Sequence, residues 1–352
     1  MPTFHFLPWC RIEKEYTSGK IALIPFEIAG AIYGVDHELE RPIKDALADF
    51  IWIDGNPIKK CTLIALDGQL LTGDYPGLEV TQTISDYVDC ACLASLAERE
   101  FGGSAEPYSN SSCFALYSRG FRPGCGTVAP PIRRRDDTPL WPAGKALRVH
   151  IPAQAVAVPT ARILERLFEA LALFRESTIN GAEPERWLAW REAIYCFNQA
   201  NTDSEVTAPH VDWVLMVSAI ERILDSKSTA QDFSTRVSDV LKSGTAPEYE
   251  MLCIWAKEFY RLRGPYAHGR LSSSIRADWN WQTHLLLGAI AFPLVVKALL
   301  ADYGFYRPTD TDLAELAAFG QVTEELRLDR PGLTKSWREY VTAQLLTKGS
   351  EP

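Results

Sequence analysis

The 352-residue chain has eight cysteines but no Cys-x-x-Cys pair, and no Cys/His set carries zinc-finger spacing. That argues against a structural zinc module. Cys90-x-Cys92 reads as two buried thiols rather than a metal site. Residues 1–152 hold no Gly-rich phosphate loop and no Ser/His/Asp signature, so neither a P-loop nucleotide hydrolase nor a serine hydrolase is suggested there. No repeat of fixed period is visible. Met1 to Cys10 lacks the basic start and long apolar run of a secretory signal, so a reducing cytoplasmic setting is expected.

An excess of positive charge is also missing. The formal net charge is −9, so a nucleic-acid site has to be a local basic patch, because phosphate binding needs clustered Lys and Arg. The one long uncharged run, Leu285 to Val296, is closed by His284 and Lys297 and falls short of the ~20 residues that span a bilayer. A buried core helix kinked at Pro293 is expected there, and no membrane partner.

What is present is a globular composition, 47% hydrophobic and 23% charged, with ten tryptophans to fill a core. The length suits two domains. Residues 1–152 mix short apolar runs with Gly and Pro, and read as an α+β domain of sensing or regulatory role. Ile21 to Ile28 and Cys61 to Leu66 are expected strands, with Asp54-Gly55-Asn56-Pro57 turning into the second. Thr83 to Phe101 is an expected helix stopped by Gly102-Gly103. Arg133-Arg134-Arg135, followed by Asp136-Asp137, reads as a solvated loop.

From 159 to 350 the apolar period turns helical, and short connections imply an all-α bundle. Thr160 is placed to cap the first helix, and Pro184 to open a second with Trp187, Ile194 and Tyr195 inward. A third helix carries Trp213, Val217, Ile220 and Leu224. A fourth carries Phe233, Val237 and Leu241. A fifth, Pro247 to Arg263, places Leu252, Trp255, Phe259 and Leu262 on one stripe. Asp278 to Tyr303, Leu313 to Leu326 and Trp337 to Leu346 complete the set.

The chemistry-bearing segment is Arg261-Leu-Arg-Gly-Pro-Tyr-Ala-His-Gly-Arg270. Gly264 suits the position after a helix and Pro265 the first turn of the next. Arg263 is then expected at one helix end and His268 a turn into another, with side chains converging. RNA is cut without a metal when its 2′-OH attacks the adjacent phosphate. That step needs a proton-transfer group near neutral pKa, which His supplies. It also needs a fixed cation on the phosphate, where a guanidinium forks onto two oxygens. From Trp255 to Asn280, Lys257, Arg261, Arg263, Arg270 and Arg276 outnumber Glu258 and Asp278. Tyr260, Tyr266 and Trp279 offer faces for base stacking, although core packing is the simpler role for each. Glu221 and Arg222, among apolar neighbours, read first as an ion pair, with Glu221 also a supporting candidate near the site. His210 and His284 read as structural.

Arg-x4-His followed by Gly, before a final helix pair, resembles the motif of the HEPN superfamily. Trp213 to Leu224, Phe233 to Leu241, Phe259 to Gly269 and the helix from Trp281 together resemble its ApeA-like branch, over roughly residues 185–300. The resemblance implies a HEPN-type helical bundle that homodimerises, with Arg263 and His268 as the catalytic pair meeting their copies at the interface. It implies metal-independent RNA cleavage without a cofactor, in phage defence or as a toxin, and a phage-derived trigger or partner protein. Supporting candidates are Arg261, which offers an x6 spacing to His268, Glu221, Arg270 and Tyr266. Gly264 departs from the Asn, Asp or His that many active members place after the Arg. Arg270 stands where another branch has a modifiable Tyr. The alternative class is a non-catalytic HEPN scaffold that holds a nucleotide or a protein in the same pocket.

Overall fold

The computed structural model describes residues 2–32, 37–52, 54–73, 78–102, 111–122, 126–128, 132–133, 139–140, 156–158, 164–181, 183–202, 208–242, 246–267, 277–327 and 333–348. The chain divides into two compact units. One spans Met1–Cys92 and Ser109–Glu165, the other Leu93–Tyr108 and Arg166–Pro352.

The first unit is built on an antiparallel sheet of seven strands. In spatial order these are β3 (Tyr16–Ser18), β4 (Ile21–Glu27), β5 (Lys60–Leu66), β1 (Thr3–Leu7), β7 (Tyr117–Arg122) and β8 (Gly126–Val128), with β6 (Leu71–Thr72) also pairing β1. β4 and β5 fall where the apolar runs placed them. Pro25 is accommodated in β4 because β3 pairs only Ile21 to Leu23, which leaves the far end of β4 with an open edge. β1, with every residue buried, lies at the centre and pairs β5 with His5 opposite Ile64. A separate parallel pair joins β2 (Cys10–Ile12) to β11 (Val156–Val158), with Cys10 opposite Val156. A third pair joins β9 (Ile132–Arg133) to β10 (Pro139–Leu140). Helix α1 (His37–Ala48) buries Ile43, Ala46 and Leu47. Phe6, Trp9, Phe50 and Tyr117 form an edge-to-face cluster, with Phe50 and Tyr117 at 4.8 Å between ring centres. Cys90 and Cys92 are buried on α2 (Leu78–Ala97).

The second unit is helical: after a π-helical turn at Leu164–Phe168 come α3 (Glu169–Asn180), α4 (Pro184–Gln199), α5 (Pro209–Ile223), α6 (Ala230–Leu241), α7 (Ala246–Ala267), α8 (Trp281–Asp302), α9 (Asp310–Glu325) and α10 (Trp337–Lys348). The last turn of α2 and the segment up to Gly102 belong here too: the Trp337 amide donates to the Phe101 carbonyl at 2.8 Å, and the Arg338 amide to Glu100 at 2.9 Å. Pro184 and Pro209 open α4 and α5 at a position where a missing N–H costs nothing. Thr229 caps α6, Asn280 caps α8, and Thr309 with Asp312 forms a reciprocal capping box on α9.

The expected stripe on α7 is the core: Leu252, Trp255, Phe259 and Leu262 are all buried. On α4, Trp187 and Ile194 point inward as expected, but Tyr195 is 53% exposed, because it lies one step beyond the buried arc. Helix α8 runs unbroken through Pro293 and reaches 22 residues, long and apolar enough by composition to cross a membrane, yet 72% of its most apolar window is buried inside the protein. It is longer than its charge-free run because His284 and Lys297 are themselves buried with partners. Gly288 lets α8 approach α5 and α7: a Cβ there would lie 2.7 Å from Met216 and 3.0 Å from Phe259.

Candidate functional site

Helix α7 does not stop at Arg263. It continues through Gly264 and Pro265 to Ala267, so the break expected between two helices is instead the last turn of one. Gly264 adopts no positive φ among the backbone values of the described residues, and open space surrounds the position of a Cβ there. Arg263 therefore sits about one turn inside the helix end. Tyr266 lies on the same last turn. His268, Arg270 and Arg276 lie outside the described residues.

Arg263 is held from two sides. Its Nη1 pairs with Glu221 Oε2, contributed by α5. Its Nη2 donates to the Tyr260 hydroxyl at 3.1 Å, and the guanidinium lies 4.5 Å over the Tyr260 ring. The Tyr260 hydroxyl in turn donates to Glu221 Oε1 at 3.0 Å. Burial, reinforced by the Glu221 bond, raises the Tyr260 pKa, so the phenol stays protonated. The three side chains form a closed, charge-assisted ring that fixes the guanidinium plane. Arg263 remains partly solvent-accessible, its side chain 25% exposed. Glu221 thus pairs with Arg263 rather than with its neighbour Arg222, which reaches Glu192 on α4. Arg261 is exposed and makes no hydrogen bond or ion pair with the described residues.

The sequence reading gave no role to Glu258, one and a half turns before Arg263. Its carboxylate accepts from the Asp278 amide at 2.8 Å, the Trp279 amide at 3.1 Å and His284 Nε2 at 2.9 Å. Burial, opposed by Glu258, lowers the His284 pKa, so His284 is neutral and donates through Nε2. Asp278 and Trp279, just before α8, are thereby pinned against α7. Trp279, offered as a stacking face, is core: it is 1% exposed, and its indole N–H donates to the Thr323 carbonyl at 2.9 Å. Tyr260 is buried as well, its ring 4.9 Å from Phe233.

The electrostatics follow. Glu258 is spent on two backbone amides and a histidine, and Asp278 pairs with Arg327 at 2.7 Å. Both acids of the stretch are therefore used internally. Lys257 donates to Gln231 at 3.1 Å, and Arg261 faces solvent. Among the described residues no group of three or more His, Cys, Asp or Glu is placed to hold a metal ion. Searches against family models, curated proteins and solved structures return no match for this chain.

Proposed function

We propose that the helical unit is a HEPN-type endoribonuclease of the ApeA-like branch, with Arg263 and His268 as its catalytic pair. The observation that carries this reading is the ring of Glu221, Tyr260 and Arg263, which presents an oriented guanidinium at the end of α7, five residues before His268. An isolated surface arginine has no need of two dedicated partners. In this reading Arg263 bonds the non-bridging phosphate oxygens as charge builds on them. His268 takes the proton of the ribose 2′-OH as that oxygen bonds to phosphorus. The P–O5′ bond then breaks, leaving a 2′,3′-cyclic phosphate; the departing 5′ oxygen takes a proton from water to become the 5′-hydroxyl, and His268 returns its proton to solvent. A symmetric homodimer brings two such sets together, since two-fold pairing is the commonest oligomer geometry. The sheet unit serves as sensor, answering a phage-derived trigger.

One observation favours a second reading. Glu221 neutralises Arg263, which weakens its pull on a phosphate and suits a non-catalytic scaffold that holds a nucleotide or a protein. The test is RNA cleavage by His268→Ala, Arg263→Lys and Arg261→Ala, beside their melting temperatures. His268→Ala is expected to lose about 10²–10⁴-fold in rate without loss of folding. Arg263→Lys is expected to be poor, because a point charge lacks the fork. Arg261→Ala is expected to be mild. Cleavage should survive EDTA and leave cyclic phosphate ends. A normally folded His268→Ala that cuts at the parent rate removes the Arg263/His268 mechanism, and a folded parent chain that cuts no RNA leaves the scaffold reading.

A further inference from the structure

The second unit contains a cavity of about 340 Å³ that shares no residue with the Arg263 ring. Its apolar walls come from Leu285, Leu286 and Ala289 on α8 and Met216 on α5, and its polar groups include Arg99 and Asp212. Volume of this order, mostly apolar walls and a few fixed polar groups are the features of small-ligand sites.

The polar groups are not equivalent. Arg99 is pinned: its Nη2 donates to Asn201 Oδ1 at 2.6 Å, its guanidinium lies 4.7 Å over the Phe101 ring, and Asn201 is itself tied to the Phe197 carbonyl at 2.7 Å. Glu100 is turned to the Arg338 amide. Asp212, in the first turn of α5, is different. Its Oδ1 is shielded from solvent and has no hydrogen-bond partner among the described residues. Desolvation lifts its pKa to about 6, against a modest opposing pull from His210. The carboxylate as a whole is half-buried and makes no hydrogen bond or ion pair with the described residues, so its charge beside the apolar walls is uncompensated there.

We propose that this cavity binds a small amphipathic amine, its ammonium on Asp212 and its apolar body along Leu285, Leu286, Ala289 and Met216. An ammonium supplies the opposite charge at the open side of this carboxylate, and water alone supplies no apolar body to cover those walls. The fixed Arg99 cation disfavours a second ammonium at the ligand's far end and favours an acceptor there.

The experiment is calorimetric titration of the full chain with hexylammonium, 6-aminohexanoate, hexanoate and 1,6-diaminohexane. Saturable binding of the first two is expected at a Kd of about 1 mM or tighter, within the range open to ligands of this size. 6-Aminohexanoate should bind best of the four, and hexanoate and the diamine at least about tenfold more weakly. Asp212→Asn should weaken the amines by about tenfold or more. Leu286→Trp, at a half-buried wall position, should block the seat of the apolar body while leaving the carboxylate in place; it decides the matter if Asp212→Asn does not fold. No saturable binding of either amine, equal binding of hexanoate, or amine binding unchanged in a folded variant overturns the proposal.

Discussion

The two units spend their buried polar groups differently. In the sheet unit the core is chiefly aromatic and aliphatic, and its buried histidine is neutral. His5 lies between Ser118 Oγ at 2.7 Å and Thr72 Oγ1 at 3.1 Å. The Thr72 hydroxyl donates onward to the Thr3 carbonyl, so Nε2 carries the proton and Nδ1 accepts from Ser118. The sheet unit also buries Asp86 and Arg119, but the helical unit gathers its buried charges into one cluster. Lys297 Nζ lies 3.0 Å from Asp312 and 2.8 Å from Glu315. Asp312 also takes the Tyr306 hydroxyl, the Thr309 amide and hydroxyl, and Arg166. Burial alone would raise the Asp312 pKa, yet Lys297 and Thr309 hold it below the usual carboxylate range, while burial leaves Glu315 raised despite the same lysine. A sheet whose ladders satisfy its backbone can close over apolar side chains. Helices crossing at several angles leave junctions, and here charges specify which helix meets which.

That contrast can be broken most forcefully at Lys297. Lys297→Met strands two carboxylates in the bundle and should destabilise the helical unit by about 3–5 kcal/mol. Adding Asp312→Asn and Glu315→Gln should recover part of the loss. Urea unfolding of the single and triple variants measures both, and a harmless Lys297→Met would mean the charges are solvated. The sheet unit should reveal itself through pH. Burial depresses the His5 pKa from 6.5 to about 4, so its stabilising neutral form is fully present above pH 6.5 and is lost as pH falls toward 4. At about 1.4 kcal/mol per pH unit, that is a loss of about 3 kcal/mol. His5→Gln should flatten the dependence over that window in denaturant titrations at stepped pH, and an unchanged slope would assign the acid sensitivity elsewhere. The smallest effect is steric. Gly288→Ala pushes a methyl against Met216 and Phe259, and should cost about 1–3 kcal/mol, read as a lowered midpoint in thermal unfolding.

Sequence legibility differed between the units for physical reasons. The stripe on α7 was readable because a helix repeats its buried face every 3.6 residues and four large side chains marked it. β4 and β5 were readable as apolar runs between turns. β1 was not, since five residues carry too little period, and its centrality comes from partners at positions 62 to 64 and 117 to 120. The end of α7 was misplaced because Gly264 and Pro265 are stop signals in isolation, while the helix continues one further turn. In the candidate site, Arg263 could be singled out by its type and spacing. Glu221 could be nominated only in general terms, because the pairing spans 42 residues, and Glu258 was passed over because its partners are backbone amides that leave no mark in composition. The segment from Arg99 to Phe101, which docks on the start of α10, also carries no local sign of membership in the helical unit.

The parallel pairing of β2 with β11 sets a timetable. Cys10 and Val156 are partners across 146 residues, position 156 less position 10. Contacts this distant in sequence form late, since a long loop must close before they stabilise anything. At synthesis speeds of about 5–20 residues per second, β2 emerges roughly 7–30 s before its partner exists. The sheet can assemble from its earlier hairpins in that interval, and this strand pair closes it only once residues 156–158 are made, just ahead of the stretch from Arg166 that forms most of the helical unit.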